Sequence, residues 1–486
     1  MNCVDYLLTD HIDNDKEFIV GRSETVTFSG LAEDVMKFSY WIEKNIGIGK
    51  NIILISPNDK LFVISYLAVM KSGNVVVPLN PTIEKSAFQQ IVDKCESECV
   101  IGNVRSIKRL NVAVDNCIDG DVLNKILIET ESKKWENSVS SNNQLAQIIF
   151  TSGSTAQPKG VMISHQNIIA NTKSIIEYLQ LTSNDIMEVV LPFFYCYGLS
   201  LLHTHLKVGG SIVLNNNFIF LGSIIDDLKK YKCTGFAGVP SHFQILLRKS
   251  DSFIKADLPD LKYVTQAGGK LHSAFIEEFC RIKPDTKFYV MYGQTEATAR
   301  LSYLPPERLN DKLGSLGKGI PDVELKVVNE KGESIKKGEV GEIIAKGENI
   351  MLGYYKEPQE TAKTIKNGWL YTGDLATIDE DGFIFHSARK KEIIKVGGRR
   401  ISPKEVEEVI VGIDGVIDCT IEAAEDSLLG EAIKATLVID KSYSNINEQF
   451  VKEYCASQLS SYKIPKHVSF SNSMNVNAVG KKIKGL

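Results

Sequence analysis

Four short groups of residues carry most of the chemical potential of this chain. Thr151, Ser152, Ser154 and Thr155 surround Gly153 in the string TSGSTAQPKG, and Lys159 follows them. Together they offer hydroxyl donors, exposed backbone N–H groups and a mobile cation, which are the groups a polyphosphate needs. The glycine, spacer and Gly-Lys-Ser/Thr order of the common nucleotide loop is absent. By composition alone such a cluster is more often a solvated turn. Further on, Tyr292-Gly293-Gln294-Thr295-Glu296 supplies a carboxylate, the ligand type preferred by a hard cation that bridges phosphates. The same string suits a helix start capped by Thr295. Asp374, in Tyr371-Thr372-Gly373-Asp374-Leu375, reads by itself as an aspartate in a hairpin turn, and Gly480-Lys481-Lys482 reads as part of a basic tail.

Taken in order, these strings resemble the signatures of the adenylate-forming superfamily, which comprises acyl-CoA synthetases, luciferases and the adenylation domains of nonribosomal peptide synthetases. The resemblance runs from Lys71-Ser72-Gly73 and Val77-Pro78-Leu79-Asn80-Pro81, a structural signature, to the last residues. It implies that residues 151–160 hold phosphates, that Gly268-Gly269 lets backbone approach adenine, and that Tyr292 covers it. It further implies that Thr295 contacts the α-phosphate, that Glu296 and Thr151 serve Mg²⁺, and that Asp374 and Arg389 bind the ribose. Lys391 falls at the family's hinge, and Lys481 at its catalytic lysine.

Pro192-Phe193-Phe194-Tyr195-Cys196-Tyr197-Gly198 is similar to the family's acyl-site signature, with Tyr195 where histidine is usual; Gly238 and Val239 are the expected neighbouring wall. The aromatic run also suits a packed core. No residue from Pro192 to Ser200 is acidic, whereas amino-acid-activating relatives carry an aspartate there for the ammonium group. The implied reaction is therefore ATP-dependent activation of an acyl or aryl acid to acyl-AMP, then transfer to CoA or to carrier-protein pantetheine. An amino-acid adenylating enzyme and a non-catalytic ATP-binding scaffold are the alternatives. Ala156 and Ala388 replace glycines usual in the family; each methyl narrows the backbone freedom of its segment.

The elements that must position these groups alternate along the chain. Periodic helical stretches near Gly30 to Ile46 and Tyr66 to Lys71 flank strand-like runs at Ile52 to Ser56 and Val75 to Leu79. The same grammar recurs at Leu145 to Phe150, after His165, and at Ser211 to Leu214, Gly235 to Val239 and Lys287 to Met291. Strands separated by helices favour right-handed crossovers and a parallel sheet. After Gly314, glycine-punctuated short strands predict hairpins and a small β unit. Pro403 opens a helix over KEVEEVI. The expected fold is α/β: a large domain over residues 1–388, with layered sheets and a small β unit, then a small mobile α+β domain over 389–486.

At 486 residues the chain exceeds the usual span of one hydrophobic core. Its 56 Lys and Arg stand against 60 Asp and Glu, so no global field gathers nucleic acid or an anionic membrane. Nine scattered cysteines suit reduced thiols in a cytosol, with Cys95 and Cys99 read as two thiols on one helix. The N-terminus does not read as a secretion signal, and no apolar run reaches the length of a membrane span. A cytoplasmic enzyme, monomeric or homodimeric, is expected, with no nucleic-acid partner.

Overall fold

The computed structural model describes residues 1–21, 24–138, 141, 143–151, 158–390, 392–426, 429–440, 442–443 and 445–473. Its helices start where local chemistry caps them. Thr27 accepts from Gly30 N at the start of Phe28–Asn45, and Asp59 accepts from Phe62 N at the start of Lys60–Lys71. Ser164 and Asn167 form a reciprocal capping box ahead of His165–Leu179.

Two large mixed sheets share one core. In the first, Lys287–Tyr292, Tyr263–Gln266, Gly235–Gly238, Ile186–Val189, Ser211–Leu214 and Glu17–Ile19 run parallel, with antiparallel strands added at both edges. In the second, Leu145–Thr151, Val75–Pro78, Asn51–Ile55, Cys99–Gly102 and Asn116–Ile118 are parallel. Lys159–Ser164 and Gly353–Tyr354 extend that sheet antiparallel. Ile52, Val76 and Ile149 of the second sheet share a cluster with Met187, Ile212 and Ala237 of the first, through the helices Lys60–Lys71 and Cys196–Val208. The helix Lys60–Lys71 is buried nearly all round, as an element between two apolar layers must be.

A third, antiparallel sheet pairs Glu324–Val328 with Gly341–Lys346 and Gly341–Lys346 with Trp369–Ile378, and Ile384–Arg389 adds to the last of these. A fourth is built from Ile394–Val396, Arg399–Ile401, Val416–Asp426, Gly430–Ile439 and His467–Ser471. The helices Pro403–Val411 and Glu448–Gln458 contribute Val406, Ile410, Val451 and Cys455 to its core. The layered α/β body, the small β unit and the α+β end thus match the expected architecture. One local reading is corrected: Cys95 ends the helix Lys85–Cys95, but Cys99 begins a strand. The helix stops at Glu96, which takes the left-handed conformation at φ 51°.

Candidate active site

The hairpin of Leu145–Thr151 and Lys159–Ser164 pairs Thr151 with Lys159. The Thr151 hydroxyl donates to the Lys159 carbonyl at 3.5 Å. Lys159 Nζ lies 2.6 Å from a carboxylate oxygen of Glu360 and 5.2 Å from the Tyr354 ring. Hydrogen bonds from Lys159 and then Lys363 hold the Glu360 carboxyl down to about 2. Ser152, Gly153, Ser154, Thr155 and Ala156 lie outside the described residues, as do Lys391 and Lys481.

The second wall is the turn that follows Lys287–Tyr292. A side chain on Gly293 would meet the Ala299 carbonyl at 1.9 Å, so only glycine lets the chain fold back, where Leu301 N donates to the Tyr292 carbonyl. Thr295, Glu296 and Ala297 form one 3₁₀ turn, capped by no side chain. The buried Thr295 hydroxyl donates to Cys196 Sγ at 3.5 Å, and Glu296 accepts from the Tyr354 hydroxyl at 2.9 Å. Glu296 is a carboxylate with hard oxygen donors, linked through Tyr354 to Lys159, and its donor chemistry fits a cation that bridges phosphates. Among the described residues no group of three or more His, Cys, Asp or Glu could hold a metal without added ligands.

Tyr292 connects this turn to the third sheet. Its phenol donates to Asp374 at 2.7 Å, and Arg389 Nε donates to the other carboxylate oxygen at 3.0 Å from the adjacent strand. His386 stands 3.6 Å from the same oxygen. Burial opposes ionisation of Asp374, but His386, Arg389 and Tyr292 outweigh it and hold the carboxyl below the usual range. Burial and the neighbouring Asp374 push the Tyr292 phenol well up, so it stays a donor. Ala388 is buried in an ordinary strand opposite Leu375 and is not among the residues with positive φ. Its methyl causes no backbone strain there.

Gly268 uses its positive φ of 86° to turn the chain, and Gln266 Nε2 donates to the Gly269 carbonyl at 2.7 Å. Tyr195 caps the helix Cys196–Val208, and Val239 is fully buried ahead of Pro240–Lys249. A Cβ on Gly238 would come within 3.0 Å of Phe243 and 3.2 Å of His242 and Phe236. The space beside that glycine is therefore filled by the protein's own side chains. Sequence reasoning missed Tyr354, Glu360, His386 and the buried Arg300. Each acts through a partner brought close by folding; Glu360 is 201 residues from Lys159 and Tyr354 is 58 from Glu296.

Comparison with known proteins gives the family of the chain. Residues 11–355 match the family described as AMP-binding enzyme, and residues 405–481 its C-terminal domain. A putative acyl-CoA synthetase, YngI of Bacillus subtilis, is 32% identical over 75% of this chain and 66% of its own length. The 4-coumarate–CoA ligase-like 6 of Arabidopsis thaliana is 30% identical over 89% of this chain and 80% of its own. The ATP-bound MatB of Rhodopseudomonas palustris has the same fold, with a TM-score of 0.90 at 24% identity over 99% of this chain and 97% of its own. With two family domains in order and CoA ligases among its relatives, the chain belongs to the adenylate-forming AMP-binding enzyme family and is an AMP-forming acid–thiol ligase.

Proposed function

We propose that the enzyme activates an acyl or aryl acid without an α-amine, using ATP, and then transfers the acyl group to CoA in the cytoplasm. One observation carries the reading: Tyr292 leads by its backbone into the Thr295–Glu296 turn while its phenol binds Asp374. The residues suited to phosphate and those suited to ribose hydroxyls thereby form one continuous wall.

In the first half-reaction a carboxylate oxygen of the acid attacks the α-phosphorus of ATP. The new acyl–phosphate bond forms as the bond to pyrophosphate breaks, and pyrophosphate leaves with its electron pair. In the second, the CoA sulfur, as thiolate, attacks the acyl carbonyl and AMP departs. Both steps demand alignment and charge compensation more than a general base.

Lys159 and the hydroxyls of Thr151, Ser152, Ser154 and Thr155 hold the β- and γ-phosphates in this reading, Gly268-Gly269 and Tyr292 flank the adenine, and Thr295 orients the α-phosphate. Thr151 and Glu296 would hold Mg²⁺, whose charge offsets that of the phosphates when bound. Lys481 approaches the reacting carboxylate in the first step. Residues 389–486 then turn about Lys391 against residues 1–388 and withdraw Lys481, giving the thiol access. The absence of acidic residues from Pro192 to Ser200 supports an acid without an ammonium group. The CoA ligases among the relatives support CoA as the thiol.

The test is ATP–pyrophosphate exchange with a panel of fatty, aryl, dicarboxylic and amino acids, followed by thioester formation with CoA and with a pantetheinylated carrier protein. Exchange supported by at least one acid lacking an amine, with product on CoA, is expected. Absence of exchange with every acid would sink the adenylation reading, and exclusive loading of the carrier would replace CoA.

A further inference from the structure

Arg300 is 3% exposed, yet among the described residues no carboxylate pairs with it. Its Nε donates to Met291 Sδ at 3.3 Å, Nη1 reaches the Ala299 carbonyl at 3.5 Å, and Nη2 reaches Ser200 Oγ at 3.5 Å. The guanidinium lies 4.0 Å from the centre of the Tyr197 ring. A guanidinium stays charged in any protein environment, and a buried charge is costly unless paired. The Tyr178 hydroxyl also bears on the guanidinium, but a thioether, a phenol and two oxygens at the outer limit of hydrogen bonding supply no opposite charge.

Its place in the fold is at the acyl end of the site. Tyr197, on which it stacks, donates to the Thr265 carbonyl at 2.8 Å on a strand neighbouring Gly238. The positive charges of Arg300 and Arg389 both bear on the Tyr195 phenol. Thr298 and Ala299, though not Arg300 itself, line a narrow cleft with Cys196, Ser200, His203, Asn171 and others, none of them acidic; it is too tight for a water in this structure, so a carboxylate reaching Arg300 must part these side chains. Burial holds His203 neutral, with its value pushed down to about 3. Cys196, at the end of this cleft, is the residue that accepts from Thr295.

The backbone that delivers Arg300 is strained and clamped. Thr298 sits at φ 64° and ψ −55° at the centre of a γ-turn closed by Ala299 N to the Ala297 carbonyl at 2.7 Å, a rare conformation for a β-branched residue. Asn349 Nδ2 donates to the carbonyls of Ala297 at 3.3 Å and Arg300 at 2.8 Å, and the Thr298 hydroxyl donates back to the Asn349 carbonyl at 2.7 Å. Asn171 Nδ2 adds a second donor to the Arg300 carbonyl at 3.2 Å. Strain of this kind persists where the surroundings over-determine it, and it clusters at ligand sites.

We propose that Arg300 is the counter-ion for a second carboxylate on the acid substrate, making this enzyme selective for dicarboxylic acids. The assignment rests on the adenylation reading above and deepens it. It also gives an electrostatic reason for excluding amino acids, since a buried cation at the acyl end repels an ammonium group.

Pyrophosphate exchange with matched pairs, a dicarboxylic acid against its own monomethyl ester over a range of chain lengths, tests it in the wild-type enzyme, Arg300→Met and Arg300→Lys. The wild type should favour the best diacid over its ester by about 100-fold in kcat/KM, the scale of one buried charge pair. Arg300→Met should collapse that ratio toward one, and Arg300→Lys should recover part of it. Equal use of diacid and ester by the wild type overturns the assignment whether or not the variants fold, as does an unchanged ratio in Arg300→Met. Exchange with monocarboxylates alone removes Arg300 from specificity and leaves adenylation standing; exchange with no acid at all removes both.

Discussion

Asp374 concentrates the electrostatics of the nucleotide end. It is 2% exposed and holds Tyr292 on one oxygen and Arg389 on the other. The buried bond from Tyr292 contributes about 1.5–3 kcal/mol, and the bond from the more exposed Arg389 less, because solvent screens it. Asp374→Asn keeps the shape and an acceptor for Tyr292 but loses the charge, so a lower melting temperature at pH 7 and a raised KM for ATP are expected. The direction with pH follows from the depressed value. A carboxyl held below its unfolded value stabilises the fold above that unfolded value, near pH 4, and loses its contribution as pH falls through the folded one. The gap in melting temperature between wild type and variant should therefore be full at pH 7 and narrow below about pH 4. A gap that stays constant across the acid limb would show that the charge of Asp374 is not what stabilises this corner. The aspartate itself was readable in the sequence only in company with the other motifs. Its partners Tyr292 and His386 were not readable as partners, because the pairing lies between two different sheets in the first case and across a strand register in the second.

At the scale of elements, the hairpin carrying Lys159 is tied to the helix Pro358–Thr364 by the Lys159–Glu360 pair at 2.6 Å. A lysine so held must leave or share its carboxylate to meet a triphosphate. Pairs at an exposed carboxylate are weak, so Glu360→Gln should lower the KM for ATP by no more than about fivefold, measured by pyrophosphate exchange. A rise in KM would mean that Glu360 positions Lys159 and does not restrain it. Local periodicity and capping made most of these elements legible in advance: Phe28–Asn45, Asn51–Ile55, Val75–Pro78 and His165–Leu179 lie close to where the sequence places them. The exceptions have physical causes. Glu96 ends its helix in a left-handed conformation without the glycine that would announce it, which puts Cys99 in a strand. Lys159–Ser164 joins its sheet antiparallel, and Glu17–Ile19 finds its parallel partner at Ser211–Leu214. Such distant pairing leaves no local signature. Arg300 was invisible for the same reason, since an arginine in a sequence reads as surface until packing closes over it.

Across the whole molecule, the last sheet shares an apolar cluster with the first domain, and one charged side chain ties the two together. Glu408, on Pro403–Val411, lies 2.7 Å from Lys270 Nζ and 3.4 Å from His272 Nδ1, and accepts from Ser273 N at 3.3 Å. Gln244 donates to Asp418 at 3.4 Å nearby. Lys270 directly follows the Gly268-Gly269 turn, so the residues that dock the small domain are continuous with those proposed to meet adenine. That adjacency predicts that nucleotide occupancy and docking are coupled through this loop. Burial opposes ionisation of Glu408, but His272 and Lys270 outweigh it and hold its carboxyl well below the usual range. With the folded value depressed, its contribution is present above the ordinary glutamate range and lost only as pH falls through the folded value. Glu408→Gln removes the charge without removing the side chain. At about 1.4 kcal/mol per decade, losing one charge-assisted contact should shift the docked population about tenfold or more. Limited trypsin digestion reads that population at the joint, where Arg389, Lys390 and Lys391 stand in succession. Cleavage there should be about tenfold faster in Glu408→Gln than in the wild type at pH 7, and saturating ATP should narrow the difference if the loop couples the two events. Equal cleavage rates would mean that the apolar surface of the small domain, and not this carboxylate, holds it in place.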